Sequence, residues 1–316
     1  MTLTMGKPLR VAMGEAITEA ANHNDRIVVL DGDTGSSTRT DIFEAAHQDR
    51  FFQLGIAEMN MFGMAAGMAT VEGLIPIVST FSAFVVSRAH DAIRILIAQP
   101  KANVKMMAGY AGLLAGSTGK THLMFDDVPI MRAMAHMTVI APGDEIETKA
   151  AINASLEYDG PVYFRLTRPN TPILFDEDYK FEIGKTVTVR EGSDVTVFSS
   201  GPHTARVIEA ADLLAGEGID VHLVHVPTIK PLAEDEVVAA ANKTGLVVTT
   251  EEGTIVGGLG GAIAEILSQH SPTPVKLHGI NDIFGESGPD KALLEKYGLT
   301  SHHVATAVRE HLAANK

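Results

Sequence analysis

The sequence predicts an α/β fold arranged as two parallel-sheet α/β domains. Short β-branched runs alternate with longer helical patterns along the chain. One stretch, "RPNTPILFDEDYKFEIGK" (168–185), breaks the alternation, which then resumes to the end. Such alternation implies parallel strands with helices packed on both faces. In the first unit "RIVVL" (26–30), "IPIVS" (75–79), "VKMMA" (104–108), "MTVIA" (137–141) and "VYFRL" (162–166) read as buried strands. The helical patterns between them include 11–23, 56–70 and 84–99, the last closed by Pro100. The helix from Ile56 is apolar nearly all round and carries Gly63 and Gly67, so it is expected to pack closely on another backbone. The second unit holds strands at 195–200, 221–226, 246–250 and 274–279, with helices at Thr204–Ala215 and Leu259–Gln269. The Pro-rich, then acidic, interruption reads as a linker, giving domains at 1–180 and 190–316.

Composition narrows the function. Of the 316 residues 45% are hydrophobic, enough for two cores and far from a disordered composition. The net charge of −14, with scattered basic residues, argues against nucleic acid or an anionic membrane surface as partner. No cysteine is present, which removes disulfides, thiolate zinc sites and cysteine nucleophiles and fits a reducing compartment. The N-terminal stretch lacks the apolar core of a signal peptide, and no run reaches the roughly 18 apolar residues of a membrane span. A soluble, acidic globular protein of the cytoplasm is the expectation.

Ligands of parallel α/β sheets bind beyond the carboxyl ends of the strands. Those ends gather Asp33, Ser37, Phe81, Phe84, His122 and Arg168 on one rim, and "QLGIAEMN" adds Glu58 at the start of the apolar helix. Each has an ordinary reading. Glu58 could merely complement a helix dipole, though its apolar surroundings demand a partner or a shifted pKa. Phe81 and Phe84 could be core, His122 a cap, and Arg168 one half of a salt bridge. Asp126 and Asp127 are expected to cap the helix that follows. "AGSTGKTH" (115–122) looks like a phosphate-binding loop, but the glycine required five residues before Gly119 is Leu114. "GGLGGA" (257–262) reads as a tight helix entry rather than a dinucleotide fingerprint, and no second histidine or carboxylate sits at metal-ligand spacing on the element that carries His122.

In this order, "GIAEMNMFGMAAGMA", "STFSAF", "THLMFDDVPIMRAM", "MTVIAPGDE", "EEGTIVGGLGGAIAEIL" and "FGESG" resemble the transketolase family along essentially the whole chain. The match corresponds to that family's thiamine diphosphate pyrimidine-binding domain followed by its C-terminal domain. The G-D-G motif of the family's diphosphate-binding domain is missing. The resemblance therefore implies the C-terminal subunit of a split transketolase. Thiamine diphosphate and Mg²⁺ would be completed by an N-terminal subunit that holds the metal, in an α2β2 heterotetramer.

The resemblance also implies roles. Glu58 matches the glutamate that hydrogen-bonds the pyrimidine nitrogen N1′, and Phe81 and Phe84 match aromatics packed on that ring. A third family aromatic is Ser87 here, so the wall is thinner or is filled from elsewhere. His122 matches the histidine that contacts donor hydroxyls, and Asp33 an acid beside the cofactor. Arg10, Ser37 and Arg168 match positions that bind a sugar phosphate, for which a guanidinium fork is suited. Two positions depart: Thr118 replaces an aspartate that reads a substrate hydroxyl, and Tyr110 replaces a histidine at the phosphate. The implied reaction is transfer of a two-carbon ketol unit between a ketose, expected to be an unusual ketose phosphate or another anionic sugar, and an aldose. The β subunit of a 2-oxoacid dehydrogenase, a deoxyxylulose-phosphate-synthase-like enzyme and a non-catalytic homologue remain alternatives.

Overall fold

The computed structural model describes residues 3–315. Its strands are β1 (Met5–Pro8), β2 (Ile27–Asp31), β3 (Phe51–Gln53), β4 (Ile75–Phe81), β5 (Lys105–Gly109), β6 (Thr138–Ile140), β7 (Val162–Arg165) and β8 (Asn170–Pro172). The chain continues through β9 (Val187–Arg190), β10 (Val195–Ser199), β11 (Val221–His225), β12 (Thr228–Lys230), β13 (Val247–Thr254) and β14 (Val275–Ile280). Two main sheets result, ordered β12-β6-β7-β5-β4-β2-β3 and β14-β13-β10-β11-β9. All pairs within them are parallel except β12 with β6 and β9 with β11.

The apolar runs are strands because both of their faces are buried. In β2, Ile27 and Val29 join the core under helices Leu9–Ala21 and Glu145–Glu157, while Val28 and Leu30 point into the core beneath Glu58–Met68. The second sheet repeats the plan with two further apolar clusters.

Three expectations need correction. The interruption at 168–185 is not wholly irregular, because β8 pairs antiparallel with β1. The pattern at 84–99 is three pieces, helices Ser82–Arg88 and His90–Ala92 and a π-helical turn Ile93–Ala98. Finally, the Glu58–Met68 helix packs closely on one side only. Gly67 is exposed with open space where a Cβ would sit, and Gly63 meets only the tip of Leu96 at 3.7 Å. Its all-round apolar composition is met inside this chain over half its circumference.

The two sheets are tied together at several points. β12 crosses from the second half of the chain to extend the first sheet beyond β6. Glu147 and His225, both fully buried, pair across the boundary at 2.8 Å. "GGLGGA" forms the expected helix entry: Gly257 takes φ +73°, and helix Leu259–His270 begins two residues later. The buried Glu251 carboxylate accepts the backbone N–H groups of Leu259 and Gly260, both at 2.9 Å.

Candidate active site

Strand order explains which residues meet. β2, β4, β5 and β7 are central in the first sheet, so their carboxyl ends lie side by side. Phe81 ends β4 opposite Gly109, the last residue of β5. The next residue, Tyr110, therefore stacks on Phe81 with ring centroids 4.2 Å apart. Tyr110 takes φ +59°, a left-handed conformation that a bulky side chain enters only under constraint. Such strain is typical of residues held for a ligand.

Phe84 lies 5.3 Å from Phe81, and the His122 ring sits against both, at 5.6 and 5.2 Å. Glu58, only 6% exposed, is the first residue of its helix. Its Oε1 accepts a hydrogen bond from Arg88 Nη1 at 2.7 Å. The same guanidinium, half exposed, lies 4.1 Å over the Phe84 ring in a cation–π arrangement. Arg88 is the neighbour of Ser87, the position where the resemblance implies an aromatic that this chain lacks. Sequence reasoning missed Arg88, because nothing local links two residues that only a helix-to-helix contact brings together. Phe84, Ser87, Arg88, Lys120, Thr121 and Asn281 line a cavity of about 450 Å³ between the first sheet's rim and the second half of the chain.

On the other side of Phe81 the site turns cationic. The Arg10 and Arg168 guanidinium carbons lie 5.9 and 5.5 Å from the Tyr110 ring centre. Arg10 is anchored by donating to the Ser37 carbonyl at 2.6 Å and the Arg168 carbonyl at 3.2 Å. Burial, reinforced by the charges of Arg168 and Arg39, pulls the Arg10 guanidinium below its usual pKa. Burial would raise the Tyr110 phenol, but hydrogen bonds with Arg168 and Ser37 and the two positive charges outweigh it and lower it. Arg168 Nε is buried without a hydrogen-bond partner among the described residues. Two guanidiniums thus cluster at the Tyr110 ring, one with an unmet donor, the donor chemistry that suits an anion.

Two anticipated residues stand apart. The Asp33 side chain is exposed; its backbone, at φ +64°, is held by an N–H donated to Gln53 Oε1 at 2.8 Å. The loop is anchored instead by fully buried Asp31, which accepts from Thr34 N at 2.7 Å and Thr40 Oγ1 at 2.8 Å. Thr118 turns its hydroxyl back onto the Ala115 carbonyl at 2.5 Å. Asp127 does not cap its helix. Its carboxylate accepts from Tyr163 Oη and Arg165 Nε, each at 2.9 Å, in the interior. Asp126 makes no side-chain cap either. Residues 116–118 form a single 3₁₀ turn and Lys120 is exposed, so this is not a phosphate cradle leading into a helix. Among the described residues no group of three histidine or carboxylate side chains is placed to hold a metal ion. No helix is long and apolar enough to cross a membrane.

The transketolase pyrimidine-binding domain matches residues 6–173, and the transketolase C-terminal domain matches 184–304. A putative transketolase C-terminal section of Methanocaldococcus jannaschii is 41% identical, covering 97% of this chain and 96% of that protein. A 6-deoxy-6-sulfo-D-fructose transketolase subunit of Clostridium sp. is 39% identical over 96% of this chain and 94% of its own length. A split-gene transketolase solved as an inactive β4 tetramer superposes with a TM-score of 0.91 at 44% identity, covering 98% of this chain and 99% of that one. The chain belongs to the transketolase family and carries that family's pyrimidine-binding and C-terminal domains.

Proposed function

We propose that this chain is the C-terminal subunit of a two-chain, thiamine-diphosphate-dependent transketolase. It moves a two-carbon ketol unit from a ketose with an anionic end to an aldose. The observation that carries the reading is the continuous contact series Glu58, Arg88, Phe84, His122, Phe81, Tyr110 and Arg168. A buried carboxylate stands at one end, clustered guanidiniums at the other, and a histidine between.

The residues fit the cofactor. Glu58 is buried, yet its partner Arg88 is half exposed, so the carboxylate can be given over to a ligand without uncovering the core. Glu58 would accept from the pyrimidine, with Phe81 and Phe84 against the ring. Thiamine diphosphate supplies, when bound, the carbon nucleophile and electron sink that ketol transfer requires. His122 is placed to hydrogen-bond donor hydroxyls and to hold a proton there. Arg10, Arg168, Ser37 and Tyr110 bind the anionic end, a phosphate or a sulfonate, and so fix the sugar's distance from the chemistry. The sulfo-sugar relative makes a sulfonate-ended donor a natural first candidate. Asp33 and Thr118 act at the edges of this site.

The partner is an N-terminal subunit supplying the diphosphate and Mg²⁺ site, in an α2β2 assembly. Two relatives, a C-terminal section and a subunit by name, match this chain over nearly their whole lengths. Beside Glu58, the exposed Ile56, Met59, Ile95 and Leu96 with Gly63 and Gly67 make an apolar face suited to such a subunit. We place the assembled enzyme in the cytoplasm, with sugar anions as its substrates.

The test is ketol transfer on a panel of ketoses and aldoses, with the chain alone, with its partner, and with Glu58→Gln in the pair. Activity is expected only from the pair, with Glu58→Gln severely slowed. Full activity of the single chain would sink the two-chain reading, and a near-normal Glu58→Gln rate would reject the role of Glu58.

A further inference from the structure

Residues 110–124 form a long loop that carries Tyr110, Thr118 and His122, and it is held by the second half of the chain. At its neck, Gly112 and Met124 form an antiparallel bridge. Just beyond, Glu252 Oε1 accepts the backbone N–H of Leu113 at 3.0 Å and of Leu114 at 3.3 Å. Glu252 lies on β13 of the second sheet and is only 4% exposed. Its Oε2 is bound by Arg206, and its backbone carbonyl accepts from Arg165 Nη2 at 2.8 Å. The fit leaves no slack: Gly112 takes φ +81°, and a Cβ there would lie 2.6 Å from Glu252 Oε1 and 3.1 Å from Arg165 Nη2. At the loop's tip, Asp290 Oδ1 accepts from Gly116 N at 3.0 Å, and Gly288 N donates to the Gly116 carbonyl at 3.1 Å.

We propose that Glu252 is a positioning residue for the sugar-binding loop: it clamps the loop's neck from the C-terminal domain and so sets where His122 and Tyr110 stand. The geometry favours this over a purely structural ion pair. A carboxylate whose only task was to neutralise Arg206 would not need to receive two successive loop amides from another domain. Charge-assisted bonds of this kind are short-ranged and directional, so they fix position as well as energy. Asp290 does the same at the tip with a single bond. The inference rests on the proposed function for its catalytic readout but not for its structural one.

The experiment uses the complex with the partner subunit and compares wild type, Glu252→Ala, Glu252→Gln and Asp290→Ala. A displacement of about 1 Å in a substrate-positioning group costs on the order of 100-fold in rate. Glu252→Ala is therefore expected to lower kcat/KM for the sugar about 100-fold while thiamine diphosphate affinity changes less than about twofold. Glu252→Gln keeps a carbonyl oxygen for both amides and should recover most of the loss. Asp290→Ala, losing one bond, should fall about tenfold. Amide hydrogen exchange of peptides covering 110–124 should speed up in Glu252→Ala and not in Glu252→Gln. Unchanged exchange in this segment, or equal losses of cofactor affinity and sugar turnover, would overturn the proposal. A wild-type complex inactive on every sugar would defeat the functional reading, and the exchange comparison would still decide the clamp. If Glu252→Ala fails to fold, Glu252→Asp, whose shorter side chain draws the carboxylate back from the Leu113 and Leu114 amides, decides by the same readouts.

Discussion

Glu251 gives the sharpest quantitative prediction. Its two oxygens each receive a backbone N–H from the start of helix Leu259–His270, which favours the charged form. Burial acts the other way and prevails, pushing the carboxyl from an ordinary 4.5 up to about 7. Between those values the folded chain keeps a proton that the unfolded chain has released. Stability from this group is thus fully present below about pH 4.5 and is lost as pH rises through about 7. At about 1.4 kcal/mol per unit, the loss totals about 3 kcal/mol. Glu251→Gln removes the titration and keeps the protonated shape. Urea unfolding followed by circular dichroism, on both proteins from pH 4.5 to 8, isolates the effect as a difference. The stability of wild type minus variant is expected to fall by about 3 kcal/mol across the window, with a slope of about −1.4 kcal/mol per pH unit. A flat difference, or one rising with pH, would show that the helix amides outweigh burial.

Other outcomes follow from the site. Arg88→Ala should weaken thiamine diphosphate binding in the complex about tenfold, read by titration, and cost about 1–3 kcal/mol of stability, because it leaves the buried Glu58 carboxylate without its half-exposed partner. Arg88→Lys should not restore binding, since a lysine lacks the flat group that covers Phe84. Tyr110→Phe removes the hydroxyl shared with Arg168 and Ser37. It should raise KM about tenfold for donors with an anionic end and leave uncharged donors unaffected, as paired steady-state kinetics would show. Gly67→Ala should stabilise the isolated chain by about 0.5–1 kcal/mol by removing a flexible helical residue. The same methyl should weaken assembly with the partner subunit, measured by sedimentation.

Much of the site was legible in the sequence because parallel sheets place strand ends predictably. Phe81, Tyr110 and Arg168 meet because β4, β5 and β7 are neighbours, and each lies at or just beyond a strand whose apolar run could be read directly. Glu58 stood out as a charge in apolar company. Arg88 did not, since an arginine on a helix is unremarkable until a second helix delivers a carboxylate to it. Asp127 read as a cap because a local rule has no knowledge of Arg165 and Tyr163 arriving from β7. The open side of the Glu58–Met68 helix was misread for a related reason: composition reports that a face wants covering, not which chain covers it.

The strand β12 bears on how this protein can be divided. Its three residues come from the second half of the chain, yet they hydrogen-bond the outer edge of β6 in the first half. A chain cut near residue 180 would leave β6 bare, with a row of unpaired amides and carbonyls at the end of an apolar sheet. Such an edge invites pairing with other molecules. The first half made alone is expected to aggregate, and a synthetic peptide of 226–232 would be a poor substitute for a tethered strand. The two halves also share apolar core: Ile229 and Ala262 join the first sheet's cluster, and Ile280, Leu293 and Leu299 pack with Phe81, Tyr110 and Leu113.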